Sequence, residues 1–292
     1  MAFFKFYCYN YTKQCMLENK KGEEKMKGIA ISILTILLAG ILAVGGYLAV
    51  SYLGTPLGYW EAWNAANELI NTEYKDTDYK IAGMGYASSS GEYVVEIKSP
   101  TKIDEYFTLR LTDSGEIKTN YYESQVEGKG NTVVRLSKQY EAYMEERGLW
   151  DEFDSNYKFR GYVSVYPSDY DVNYILHEDA LSREELELNK AYEIKEFARV
   201  HGYITIEAKV EEPTFETIAE ILLQVKQLAD EKDVPFYTIS VDLRQIDRPS
   251  RETMVKVWNF RYEDIYEADL AERAKANSDN YEKLKAVAGL GE

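Results

Sequence analysis

The 25 residues from Ile29 to Leu53 contain no charged side chain, and this run constrains the chain more than any other feature. At about 1.5 Å of rise per helical residue it covers more than the roughly 30 Å of a bilayer core. A buried core helix rarely runs so long without one ionisable residue, so the expected element is a membrane-spanning anchor, Ile29 to Leu53, within 26–54. Lys20, Lys21, Lys25 and Lys27 precede the run, and the next basic residue beyond it is Lys75. The positive-inside rule therefore places the N-terminus in the cytoplasm and the chain from Gly54 onward outside. Signal-peptide cleavage would use Ala43-Val44-Gly45, yet the run continues to Leu53, which suits a retained anchor.

Residues 1–25 are expected to be a basic cytoplasmic segment or a leader. Lys21-Gly22-Glu23 can be encoded as AAR-GGN-GAR, which resembles a bacterial ribosome-binding sequence just ahead of Met26. Met26 is therefore the expected start, and a native peptide recovered from N-terminal to it would refute this. Cys8 and Cys15, the only cysteines, fall in that segment. They lie on the reducing side and form no external disulfide.

Six of the 34 Lys and Arg and three of the 50 Asp and Glu precede Gly54, which leaves 28 basic and 47 acidic residues beyond it, a formal charge of −19. So negative an exterior repels nucleic acid, and no nucleic-acid partner is expected. Twenty-six Tyr, 10 Phe and 4 Trp supply enough apolar surface for packed cores, and the exterior length suits two small domains.

The first, 55–148, is read as helix, four-strand meander, helix. Tyr59, Ala62, Trp63, Ala66, Leu69 and Ile70 recur at helical spacing, so a helix over 59–74 is expected to bury that stripe, Trp63 with it; Trp60 is left open. Tyr52, Tyr59, Trp60 and Trp63 also lie where an outer membrane interface favours amphipathic rings. Strands are expected at 79–87, 92–98, around Phe107–Leu111, and at 116–122 after the turn Asp113-Ser114-Gly115. A helix over 132–146 places Val133, Leu136, Tyr140, Tyr143 and Met144 on one side.

The second domain, 149–292, opens with the strand "YKFRGYVSVY" and a long polar loop. A short helix stops at His201-Gly202, "GYITIEAKV" follows as a strand, and Pro213-Thr214 opens a helix with the stripe Phe215, Ile218, Ala219, Leu222, Val225 and Ala229, widened by Ile221 and Leu228. A strand after Pro235, a partner over 253–260 and a closing helix over 263–276 complete a β-α-β-α-β-β-α order. The fold class is α+β: one spanning helix, then two small domains, each an antiparallel-rich sheet packed by helices.

With this layout, the phrases "YYESQV", "AYEIKEFARVHGYITI", "AEILLQVKQLADEKDVPFYTISVDL" and "FRYEDIYEADL" resemble the YfjL-like membrane proteins of Gram-positive bacteria, over nearly everything from Met26 onward. The resemblance implies no assigned activity and carries over no catalytic residue. The first domain is also similar in order to PepSY-type modules, which are external and associated with peptidase regulation; that is an analogy of fold alone.

Signals for chemistry are sparse. Neither of the two histidines sits in a metal-ligand spacing such as H-E-x-x-H; His201 reads as a helix-end residue and His177 as part of a polar loop. No P-loop, dinucleotide glycine fingerprint or G-x-S-x-G elbow occurs, so no catalytic residue is named and no cofactor is expected. Asp169, Asp171 and Asn173 resemble the start of a calcium loop, but Tyr174 replaces the position-six glycine and Ala180 the closing glutamate; a polar loop is the simpler reading. Tyr106, Tyr122, Tyr162 and Tyr166 stand at alternate strand positions, able to form an aromatic surface for peptide or glycan or to pack against flanking loops. The expected function is a membrane-anchored binding or interaction module whose partners are lipid, through the anchor, and a membrane or cell-wall protein or peptide. The alternatives are a carboxylate-dependent enzyme acting on wall glycan or peptide, and a sensor subunit of a membrane complex.

Overall fold

The computed structural model describes residues 34–166, 181–246 and 254–287, except 36, 43 and 49. Helix α1 is the apolar run: its described residues over 34–53 are helical, and the helix beginning at Leu37 is long and apolar enough to cross a membrane. None of that apolar window is buried inside the described protein, as a soluble core helix would be. Gly54, at φ 74°, breaks the helix in the left-handed conformation that glycine takes without strain. The Thr55 hydroxyl then accepts from the Gly58 amide at 3.0 Å and starts α2 (Pro56–Thr72).

The rest is α+β. Strands β1 (Lys80–Ala87), β2 (Glu92–Lys98), β3 (Tyr106–Leu111) and β4 (Ile117–Asn120) form one sheet in the order β1-β2-β3-β4, the meander that alternation and turns predict. A second sheet has the order β10-β9-β8-β5, from β5 (Tyr157–Val163), β8 (Gly202–Val210), β9 (Thr238–Gln245) and β10 (Val255–Arg261). β8 and β9 pair in parallel because α5 (Phe215–Glu231) returns the chain between them, whereas the two outer pairings are antiparallel. β6 (Val165–Tyr166) and β7 (Leu181–Ser182) make a short parallel pair. Helices α3 (Gly130–Glu146), α4 (Ile194–His201) and α6 (Leu270–Val287) complete the α-helices of the described residues. Chain contacts divide it into two compact units interleaved in sequence: residues up to Leu69 with Gly83–Val95 and Leu109–Thr119, and Ile70–Ala82 with Glu96–Thr108 and everything from Asn120.

In the first unit, α2 buries Gly58, Ala62, Ala66 and Leu69, whereas Trp63 is 48% exposed and Trp60 58%. The expected burial of Trp63 is thus corrected. The Tyr93 hydroxyl meets the Thr55 amide at 2.7 Å, and a Cβ on Gly58 would overlap the Tyr93 ring. The close approach is local to Gly58; Tyr59 beside it sets its ring edge-on to Tyr93 at 5.0 Å, while the two indoles turn outward.

In the second unit, Leu136, Tyr140 and Met144 of α3 join Ile204, Ile206, Ile218, Leu222, Ile239 and Val241 in one core. Gly161 of β5 faces Met144 without room for a Cβ. The α5 stripe buries Ile218, Leu222, Val225 and Ala229 fully and Phe215 and Ala219 in part, and Thr214 caps the helix, accepting from Thr217 at 3.1 Å. One expectation needs correction. The closing helix begins at Leu270, not Glu263, because Tyr262–Asp264 is a 3-10 turn and Arg273 donates to the carbonyls of Asp264, Tyr266 and Ala268, which holds a loop ahead of the helix. The short helix stops at His201-Gly202 as expected; Gly202 has φ −72°, and glycine is needed there because a Cβ would overlap the Ala198 carbonyl oxygen as helix turns directly into strand.

Candidate functional site

One cleft of the second unit, about 290 Å³ in volume, gathers side chains from α4, the end of α5 and the turn after β10. Its floor is set by the chain between α5 and β9. Asp233, at φ 57°, reverses the backbone, and Val234 donates back to the Ala229 carbonyl at 2.8 Å. Two hydroxyls of α3 then hold the segment from below, Tyr143 donating to the Asp233 carbonyl at 2.8 Å and Tyr140 to the Pro235 carbonyl at 2.9 Å.

The walls are aromatic and charged. Arg261 donates to the Tyr237 hydroxyl at 2.8 Å and to Glu263 at 2.9 Å. The Tyr262 ring packs edge-on against Phe236 at 5.1 Å, its hydroxyl donates to Asp230, and the Lys226 ammonium sits 3.1 Å from its centroid. Burial and the hydrogen bond to Asp230 push the Tyr262 hydroxyl up to about 12. Lys195, 2.6 Å from Asp233, holds that carboxyl below its usual range. Arg199, which also lines the cleft, pairs with Glu196 at 3.5 Å. The cleft thus offers guanidinium donors, phenol faces and carboxylate acceptors on one surface.

The tyrosines singled out in sequence stand apart from this cleft. Tyr122 packs with Tyr74, Tyr79 and Phe107, its centroid 4.7 Å from Tyr74 and 5.2 Å from Phe107. Tyr106 is half-buried, and burial pushes its hydroxyl up. Tyr162 is 37% exposed, with its ring 4.6 Å from Tyr203. Tyr166 ends β6. Asp169, Asp171, Asn173 and His177 lie outside the described residues, as does Ile29. Leu53 ends α1 and is 67% exposed. His201 is the last residue of α4, its ring 4.9 Å from Phe197. Among the described residues, no three of His, Cys, Asp and Glu converge to hold a metal ion. Sequence reasoning passed over Arg261, Tyr262 and Tyr237; the one local signal is "FRYED", where a charged and aromatic cluster follows a strand.

Residues 163–275 match the family model described as the YfjL-like C-terminal domain, which supports the resemblance over most of the second sheet. No curated protein matches the chain. The crystal structure of a DUF5037 family protein from Ruminococcus gnavus aligns at 13% identity over 76% of this chain and 86% of that one, with a TM-score of 0.20, too low to compare the folds.

Proposed function

We propose that this chain, with its YfjL-like C-terminal domain, is a single-pass membrane protein, N-terminus in the cytoplasm, that displays its α+β portion outside as a binding module without catalysis of its own. The cleft of Arg199, Tyr237, Arg261 and Tyr262 takes an extended segment of a membrane or cell-wall protein or peptide. Peptide suits it because amide, carbonyl and side-chain charges of both signs meet complementary groups there.

The observation that carries the reading is the lining of the cleft, where Arg199 and Arg261, the rings of Phe236, Tyr237 and Tyr262, and the carboxylates of Asp230 and Asp233 share one concave surface. Two measurements test the proposal. Alkaline carbonate should leave the chain in the membrane, while protease added to intact cells stripped of their wall digests its exterior. A photocrosslinker at Glu263 should then give adducts that Arg261→Ala abolishes. Release by carbonate refutes the anchor; adducts unchanged by Arg261→Ala refute the cleft.

A further inference from the structure

The outer face of α2 inverts the usual order of a water-exposed helix. Over its first three turns the buried residues are small, Gly58, Ala62 and Ala66, with Leu69 joining them further along, while Leu57 is 65% exposed, Trp60 58% and Trp63 48%. A helix in water ordinarily buries indoles and exposes alanines. The apolar exposure is confined to the first two turns; the polar residues Asn64, Asn67, Glu68 and Asn71 follow. Those two turns begin directly after α1, separated from it only by Gly54 and Thr55, with Tyr52 and Leu53 also exposed at 68% and 67%.

The junction is held in place. The Tyr93 hydroxyl engages the Thr55 amide at 2.7 Å and its hydroxyl oxygen at 3.2 Å, and Gly58 packs against the Tyr93 ring. α2 therefore cannot roll to hide its indoles without losing these contacts. Nor does it carry a Lys or Arg to attract anionic lipid, so contact with a membrane relies on the indoles themselves. An indole pairs an apolar ring with one N–H donor, which suits the boundary between acyl chains and headgroups.

We infer that Leu57, Trp60 and Trp63 insert into the outer interfacial layer of the same membrane that α1 enters, holding the start of the first unit against the lipid surface. The inference rests on the reading of α1 as a span. The test uses the full chain reconstituted in phosphatidylcholine vesicles containing lipid brominated near the headgroup end of the acyl chain, with tryptophan fluorescence as the readout. Wild type should be quenched, and Trp60→Phe/Trp63→Phe, which alters only exposed positions, should lose that quenching while Trp150 and Trp258 keep their emission. A chain that resists carbonate yet shows no quenching overturns this inference and leaves the span standing. Equal quenching of wild type and the double variant overturns it too, since the quenched indoles are then elsewhere. A chain washed from the vesicles by carbonate overturns both.

Discussion

Asp104 is fully buried, and each of its bonds comes from a distant part of the second unit. Its carboxylate accepts from Arg135 at 2.7 and 2.9 Å, from Thr132 at 2.9 Å and from the Asn189 amide at 3.0 Å. The Asn189 side chain accepts from the Asp104 amide at 2.9 Å, and Asn131 donates to the Asp104 carbonyl at 2.8 Å. Burial pushes this carboxyl up, but the hydrogen bonds from Arg135 and Thr132 outweigh it and hold the group below its usual range. Its stabilising effect is therefore present above the unfolded value of about 3.9 and is lost as pH falls through the lower folded value. Asp104→Ala strands a largely buried Arg135 and should cost about 3–5 kcal/mol by urea denaturation at neutral pH. The variant should also lack the part of wild type's loss of stability that falls below about pH 4. Sequence shows none of this, because Arg135 and Asn189 stand 31 and 85 positions away.

Elements were more legible than their contacts. Strand alternation and helical spacing are local, so the four strands of the meander, α5 and the strand at Gly202–Val210 could be read within a few residues of where they lie. Which side chain an element presses on its neighbour depends on that neighbour. Gly161 is one example: a Cβ would overlap the Met144 methyl, so Gly161→Ala should cost about 1–3 kcal/mol in thermal or urea unfolding. Adding Met144→Ala should recover part of that loss if the overlap is its cause. Asn277 is another. The register of β10 on β9 slips between Val257 and Phe260, and the Asn277 side chain accepts from the Trp258 amide and donates to its carbonyl, both at 2.9 Å. It replaces the strand partner that the bulge removes. Asn277→Ala leaves both backbone groups without that partner and should cost about 1–3 kcal/mol, with faster amide exchange at Trp258 as the specific sign.

At the scale of the whole molecule, the formal charge of −19 beyond Leu53 predicts that the detergent-solubilised chain will pass an immobilised nucleic acid unretained at about 0.15 M salt; retention would contradict it. What the sequence by itself determined is what depends on counting along the chain: a helix long and apolar enough to span a bilayer, an acidic portion beyond it, and the period of nearly every strand and helix. What only the tertiary structure decided depends on residues far apart in sequence meeting in space. Trp63 stands exposed while the same helix closes on Tyr93 at Gly58, Asp104 is held by groups up to 85 positions away, and a charged cleft forms where α4, α5 and the turn after β10 converge. Periodicity fixes the direction of a side chain about its own axis, while the partner it meets is set by chain crossings that leave no local pattern.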